Sequence, residues 1–294
     1  MHAGRGRLLL VAFLAATAGC GGIVADDGGG GATDAGSLTP APVPTASADY
    51  PPGLSAEGVV DPERLARAHG RTVEGVSYRL RSNRTTRFAN GTLRSRIDLD
   101  LRLGRNRSHL ATVRTAGPGA PVILGQPPAH GQYWSNRTLY ANRIVREGRT
   151  TYSLMRASEN PRATWRYWAG TAAFGGGSSY RASRFAAIFE AIPTRVVGTR
   201  TANGTTLYEL EGRRAESAAF TAGPADAVGP AGPGPTLRAT VDEDGRIRTL
   251  HLRYRSYDDG DEYAVDWRIR YGAVGAVAVR EPPWLDRAVA ASRD

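Results

Sequence analysis

Asparagine is the residue type whose spacing in this sequence most clearly indicates chemistry. Of the seven asparagines, five begin the triplet Asn-x-Ser/Thr, which is the acceptor for N-linked glycans. Asn-Gly is also typical of tight hairpin turns, so turn formation alone explains two of the five triplets. The other three favour glycosylation and hence an outward surface. The five candidate sites are Asn83, Asn90, Asn106, Asn136 and Asn203, of which Asn90 and Asn203 precede Gly.

The only cysteine, Cys20, follows a leader of the secretory type. Two arginines come before an apolar run over residues 8–18, and Thr17-Ala18-Gly19 leads directly into Cys20. The run is shorter than the ~20 residues of a membrane-spanning helix and fits a signal peptide. The segment resembles the lipobox of prokaryotic lipoproteins, which implies that residues 1–19 are removed and that the Cys20 sulfur carries a lipid. The alternative is an ordinary secretory signal that leaves a free thiol.

Neither histidine nor glycine patterns support catalysis or a metal site. The five histidines show no pair with metal-ligand spacing, and a second cysteine is missing from the sequence. The sequence has no Gly-x-Ser-x-Gly elbow, no phosphate-binding loop and no dinucleotide-binding glycine pattern after a strand. We therefore expect a protein that is not an enzyme, with no cofactor and no metal ion.

The positive charge lies in the segment that we expect to fold. Residues 51–294 hold 36 arginines against 24 acidic residues, a net charge of +12, and the chain has no lysine. Attraction to anionic lipid head groups or acidic surface polymers explains this charge, and so do solvent-facing strands alone. Binding to nucleic acid is disfavoured, because the arginines do not cluster on one helix and the leader directs the chain outside the cytoplasm.

Three regions follow from composition and pattern. Residues 1–19 are the predicted signal peptide, and residues 20–50 are the lipidated Cys20 with a flexible tether rich in Gly, Ala and Pro. Residues 51–294 are predicted to form a single domain based on an antiparallel sheet. Strict alternation of apolar and polar residues, with turn residues between runs, predicts eleven strands with one buried face. These lie at 76–81, 96–103, 108–115, 132–135, 139–145, 150–155, 195–201, 205–212, 237–241, 246–256 and 262–271.

Helices are predicted at three places. The first begins at Pro62 with Asp61 as its N-cap, the second covers 180–192, and the third follows Pro282-Pro283 near the end of the chain. The segment 160–179 is predicted to be a mobile flap, because a glycine run follows its aromatic residues Trp165, Tyr167 and Trp168. The predicted fold class is α+β, a large curved antiparallel sheet, or half-barrel, wrapped on two or three helices.

This arrangement resembles the lipoprotein-carrier superfamily of the LolA, LprG and LppX types. The sequences Tyr50-Pro51-Pro52-Gly53-Leu54, Gly58-Val59-Val60-Asp61 and Pro282-Pro283-Trp284, with Leu65 and His69, are also similar to an uncharacterised surface lipoprotein family of halophilic archaea. The carrier resemblance implies an incomplete barrel whose apolar concavity takes a lipid chain.

Two functions are consistent with these features. The first is a lipoprotein on the outer face of the cytoplasmic membrane that binds a lipid or isoprenoid in the concavity of its sheet. The second is a structural or interaction protein that holds envelope proteins or acidic polymers on its basic outer face and has a closed core. The residues expected to line the concavity are Leu99, Leu101, Leu252, Tyr254, Val265, Trp267 and Ile269.

Overall fold

The structure of the chain, a computed structural model, describes residues 50–174, 181–214, 234–258 and 261–293. Two short strands come first and pair with each other: β1 (Leu54–Ser55) and β2 (Gly58–Val59). The main sheet contains β3 (Tyr78–Phe88), β4 (Leu93–Leu103), β5 (His109–Ala116), β6 (Ala129–Ser135), β7 (Leu139–Arg146), β8 (Arg149–Arg156), β9 (Thr194–Ala202), β10 (Thr205–Arg213), β11 (Thr236–Asp242), β12 (Ile247–Asp258) and β13 (Asp261–Gly272). The helices are α1 (Pro62–Val73), α2 (Trp165–Phe174), α3 (Arg181–Ala191) and α4 (Leu285–Ala291).

The main sheet consists of two meanders joined at its centre. Strands β3 to β8 follow one another across one half, and β13 back to β9 follow one another across the other half. The halves meet where β13 pairs with β3 in an antiparallel ladder that runs from Tyr263 opposite Phe88 to Gly272 opposite Arg79. The edge strands are β8 and β9. The predicted large antiparallel sheet is confirmed, and each of the eleven predicted strands is present.

One face of the sheet, which we call the inner face, carries the main apolar core. Side chains alternate along each strand, so every second residue lies on this face. On β13 the inner residues are Tyr263, Val265, Trp267, Ile269 and Tyr271, each at most 3% exposed. Side chains of α1, α2 and α3 belong to the same apolar cluster. The predicted wrapping of the sheet on two or three helices is therefore confirmed, with α1 and α3 among the predicted helices and α2 as a helix that the sequence did not predict.

Helix α1 begins as the sequence predicts. The Asp61 carboxylate accepts a hydrogen bond from the Arg64 backbone N–H at 2.8 Å, and Pro62 occupies the first helical position. His69 fixes α1 to the sheet, because its Nδ1 accepts a hydrogen bond from the Ile247 backbone N–H at 3.2 Å. His69 is 3% exposed and packs edge-on against Tyr271, so its role is structural.

Helix α4 lies on the opposite, outer face of the sheet. It packs on β7 and β8, where Trp284 and Ala288 form a second apolar cluster with Trp134 and Ala141. Alternation explains this cluster, because Trp134 and Ala141 point away from the inner face. Within the described ranges, no helix combines the length and the apolar character needed to cross a membrane.

Candidate functional site

The seven residues predicted to line a concavity lie together on the inner face of β4, β12 and β13. Leu252 pairs with Trp267, and Tyr254 pairs with Val265. All seven belong to the main apolar cluster and are 0–4% exposed: Leu99, Leu101, Leu252, Tyr254, Val265, Trp267 and Ile269. The sequence placed them correctly on one face. They share this apolar cluster with side chains of α1, α2 and α3, and their role in lining a ligand cavity stays a prediction.

The prediction of a flap is wrong for its described part. Residues 161–163 form a 3₁₀ turn and Trp165–Phe174 forms helix α2, while 175–179 lie outside the described residues. Trp168 is 1% exposed and its indole N–H donates a hydrogen bond to the Arg162 carbonyl oxygen at 2.7 Å. Trp168 and Ala169 lie three and four residues after Trp165, which is helical spacing. Burial of these side chains against the sheet fixes the segment in place.

A cluster of aromatic and arginine side chains lies at the β6–β7 end of the inner face, and we call it the Arg–Tyr cluster. It contains Tyr133, Tyr140, Tyr167, Arg146 and Arg162. The ring centroids of Tyr133 and Tyr140 are 6.2 Å apart. The Arg162 guanidinium lies 5.9 Å from the Tyr167 ring, and its Nη1 donates a hydrogen bond to the Ile123 carbonyl oxygen at 3.1 Å.

Two hydroxyl groups of the Arg–Tyr cluster are buried without a hydrogen-bond acceptor among the described residues. They belong to Tyr133 and Tyr140, which are 1% and 0% exposed. Burial raises the pKa of Tyr133 to about 12, although the nearby charges of Arg162 and Arg146 and a hydrogen bond that Arg162 donates oppose the shift. Burial also raises the pKa of Tyr140. Both hydroxyls are therefore protonated donors at neutral pH, and each lacks an acceptor.

The sequence did not reveal the Arg–Tyr cluster. Alternation within 132–135 and 139–145 indicated which side chains share a face. It did not indicate that Arg162 would lie near Tyr133 and Tyr140 in the folded chain. The Asn160 side chain caps the turn by accepting a hydrogen bond from the Arg162 backbone N–H at 2.9 Å. The Asn-Pro pair at 160–161 is the only local signal for that turn.

The outer face of the sheet carries the charged residues. Arg253 pairs across β12 and β13 with Asp266 at 2.9 Å, and Arg255 pairs with Glu262. His251 also contacts Asp266, with 3.0 Å between Nε2 and Oδ2. Burial raises the pKa of Asp266, but the hydrogen bonds from His251 and Arg253 outweigh it and the pKa is lowered overall. This part of the outer face is a network of ion pairs.

An open groove of about 730 Å³ lies on the outer face across β9 to β12. Its described lining contains one acidic side chain, Glu211. The basic lining residues are Arg195, Arg213, Arg238, His251 and Arg253. The groove is therefore electropositive and suits an anionic partner.

The five sequon asparagines have exposed side chains. Asn90, Asn106 and Asn136 each accept hydrogen bonds from backbone N–H groups two or three residues later, as in Asx turns. Asn203 has a positive φ of 51°, which fits its hairpin position. Asn83 lies within β3 on the outer face and donates a hydrogen bond to Asp98 at 2.8 Å.

Cys20 lies outside the described residues. Within the described ranges, no group of three or more His, Cys, Asp or Glu side chains is placed to hold a metal ion.

Three solved structures similar to the chain are from bacteria. The lipoprotein LppX of Mycobacterium tuberculosis is 10% identical over 74% of this chain and 97% of its own, with a TM-score of 0.33. LprF from Mycobacterium bovis is 11% identical over 76% of this chain and 96% of its own, with a TM-score of 0.36. A LolA superfamily protein from Nitrosomonas europaea is 8% identical over 76% of this chain and 96% of its own, with a TM-score of 0.23.

A search of curated proteins found no match to the chain. A family model does match it, over residues 5–288, which include the whole sheet and most of α4. That model describes a family of unknown function, DUF7537. Since the match covers nearly the full length, the chain belongs to this family.

Proposed function

We propose that this protein is a lipoprotein, anchored through Cys20 to the outer face of the cytoplasmic membrane, that binds a lipid or isoprenoid on the inner face of its sheet. It performs no catalysis and uses no cofactor. The lipobox resemblance at Thr17–Cys20 supports the anchor. The apolar inner face supports the ligand.

The observation that carries the ligand proposal is that the described residues cover the inner face incompletely near the β8 edge. Ile144 on β7 and Met155 on β8 lie on this face and pack against the main apolar cluster, yet both are only half-buried. Trp165 and Tyr167 of α2 are half-buried against the same cluster. Covering apolar surface contributes roughly 25 cal/mol per Å². An apolar chain laid over these side chains would therefore be stabilised.

Lipid that copurifies with the full chain tests the ligand proposal. We expect solvent extraction and mass spectrometry to find a stoichiometric apolar molecule. Ile144→Asp should reduce its amount severalfold, because a carboxylate on the inner face opposes an apolar chain. Val145→Asp is the matched control, since the neighbouring residue lies on the outer face. Lipid-free protein, or equal loss in both variants, contradicts the proposal.

Membrane fractionation tests the anchor separately. Cys20→Ser removes the sulfur that would carry the lipid, so the chain should move from the membrane fraction to the medium or soluble fraction. If the variant stays with the membrane to the same extent as the original chain, Cys20 is not the anchor.

We propose glycosylation at Asn83, Asn90, Asn106, Asn136 and Asn203, supported by the exposure of all five side chains. Intact mass measurement of the chain purified from its own host should show glycan mass. Each Asn→Gln substitution at a used site should remove one glycan. An unmodified mass would refute the proposal.

A second function, binding of acidic polymers or envelope proteins, is favoured by the electropositive groove on the outer face. Arg195 and Arg213 line this groove, and both are exposed. The double variant Arg195→Gln/Arg213→Gln should elute from a polyanion column at a lower salt concentration than the original chain. Arg64→Gln/Arg71→Gln on α1 changes the net charge equally and is the control. Equal shifts in both double variants would contradict a specific role of the groove.

A further inference from the structure

We propose that the Arg–Tyr cluster binds the head group of an anionic amphiphile, with Tyr133, Tyr140 and Arg162 contacting its oxygen atoms and Arg146 adding positive charge. This inference rests on the proposed function and specifies the chemistry of its ligand. It predicts a phosphate or carboxylate group at one end of an apolar chain.

The hydroxyl groups of Tyr133 and Tyr140 indicate a missing acceptor. A buried hydroxyl without a partner costs about 1–3 kcal/mol, and most buried polar groups in proteins are paired. Here two buried hydroxyls without an acceptor lie on adjacent strands, with their rings close together. Protonated hydroxyls donate, so the partner that would satisfy both is a group rich in oxygen lone pairs.

The charge of the cluster indicates that this partner is anionic. Among the described residues, neither Arg146 nor Arg162 has a carboxylate within 4.0 Å, in contrast to the paired arginines on the outer face. Arg162 is half-buried, and its positive charge acts on both Tyr133 and Tyr140. A guanidinium in a partly desolvated site binds phosphate or carboxylate oxygens strongly.

The surroundings of the cluster indicate that the rest of the ligand is apolar. The Trp168 ring lies 4.3 Å from the Tyr133 ring, and Leu124 packs beside Gly131. Ile144 on β7 and Met155 on the adjacent β8, which carry the proposal for an apolar chain, lie on the same inner face, and Met155 is opposite Tyr140. A head group at the cluster would leave the attached chain to cover them.

The test compares ligands that share one apolar chain and differ in head group. Binding of radiolabelled hexadecyl phosphate, palmitate and hexadecanol to the delipidated full chain is measured by equilibrium dialysis. We expect at least one of the two anions to bind about tenfold more tightly than the alcohol. The stronger of the two identifies phosphate or carboxylate as the preferred source of oxygens.

The double variant Tyr133→Phe/Tyr140→Phe keeps both rings and removes only the two donors. We expect it to lose about tenfold in affinity for the preferred anion and to bind hexadecanol as before. Its melting temperature should be unchanged or higher, because two buried hydroxyls without an acceptor are gone. This measurement verifies that the variant folds. Tyr152→Phe, whose hydroxyl lies on the outer face near Arg287, is the control and should change neither affinity.

The outcomes separate the two proposals. Equal affinity for anions and alcohol, or unchanged anion binding in the Phe double variant, overturns the head-group site while leaving an apolar ligand in place. If none of the three probes binds, both the head-group site and the proposed lipid function fail.

Discussion

Acidification should destabilise this protein through His109, a histidine on the inner face at the start of β5. His109 is 1% exposed, and a hydrogen bond with the Arg107 backbone offsets only part of the cost of burying its charged form. Burial disfavours the charged imidazolium and lowers the pKa of His109 from 6.5 to about 4. The unfolded chain therefore takes up a proton at a higher pH than the folded chain does.

The sign and size of the effect follow from these two pKa values. As the pH falls below 6.5 the unfolded state binds the proton first, so the free energy of unfolding decreases until the folded state also protonates near pH 4. At about 1.4 kcal/mol for each pKa unit, the loss is about 2 kcal/mol at pH 5 and about 3 kcal/mol below pH 4.

Urea unfolding of the full chain, followed by tryptophan fluorescence, measures this loss. The original chain and His109→Leu are compared at pH 7 and pH 5. We expect the original chain to lose about 2 kcal/mol more than the variant, because the variant lacks the titrating ring. His130 and the acidic residues titrate in both chains and cancel in the comparison. An equal loss in both chains would refute the assigned role of His109.

Three substitutions should affect stability in distinct ways. Gly58→Ala should lower the free energy of unfolding by about 2–4 kcal/mol and so lower the melting temperature. The reason is that the φ of Gly58 is 128° and a Cβ would lie 2.0 Å from the Thr194 carbonyl oxygen. Asp242→Asn should cost about 2–4 kcal/mol in urea unfolding, because this carboxylate is 1% exposed and pairs with Arg246 at 3.3 Å. Trp284→Ala should detach α4 from the outer face, and limited proteolysis should then cleave near the C-terminus while the sheet resists. An unchanged melting temperature, urea midpoint or cleavage pattern would contradict the respective prediction.

The strands were predictable because their signal is local. Alternation with a period of two identifies a strand and its buried face within a few residues, and pairs such as Asn203-Gly204 and Asp244-Gly245 mark the turns. The N-cap at Asp61 is local in the same sense. For this reason the eleven strands and α1 could be found without any knowledge of their partners.

The sequence analysis did not predict helix α2, because the glycine run after it indicated a mobile segment. The helical spacing of Trp165 and Trp168 was the signal that favoured a helix. The side on which α4 packs was also not predictable. Its position depends on an apolar patch of Trp134 and Ala141 on a face that is polar elsewhere along the sheet. Only the assembled strands β6 and β7 create that patch.

The sequence by itself determined the positions of the five sequons, the strands and the apolar character of one face of each strand. The tertiary structure alone decided that β3 pairs with β13, which joins residues nearly two hundred positions apart. The tertiary structure also decided that Arg162 lies close enough to Tyr133 and Tyr140 for its charge to act on both. The physical reason is that periodicity specifies which side of an element is apolar, whereas the identity of the partners depends on how distant elements pack together.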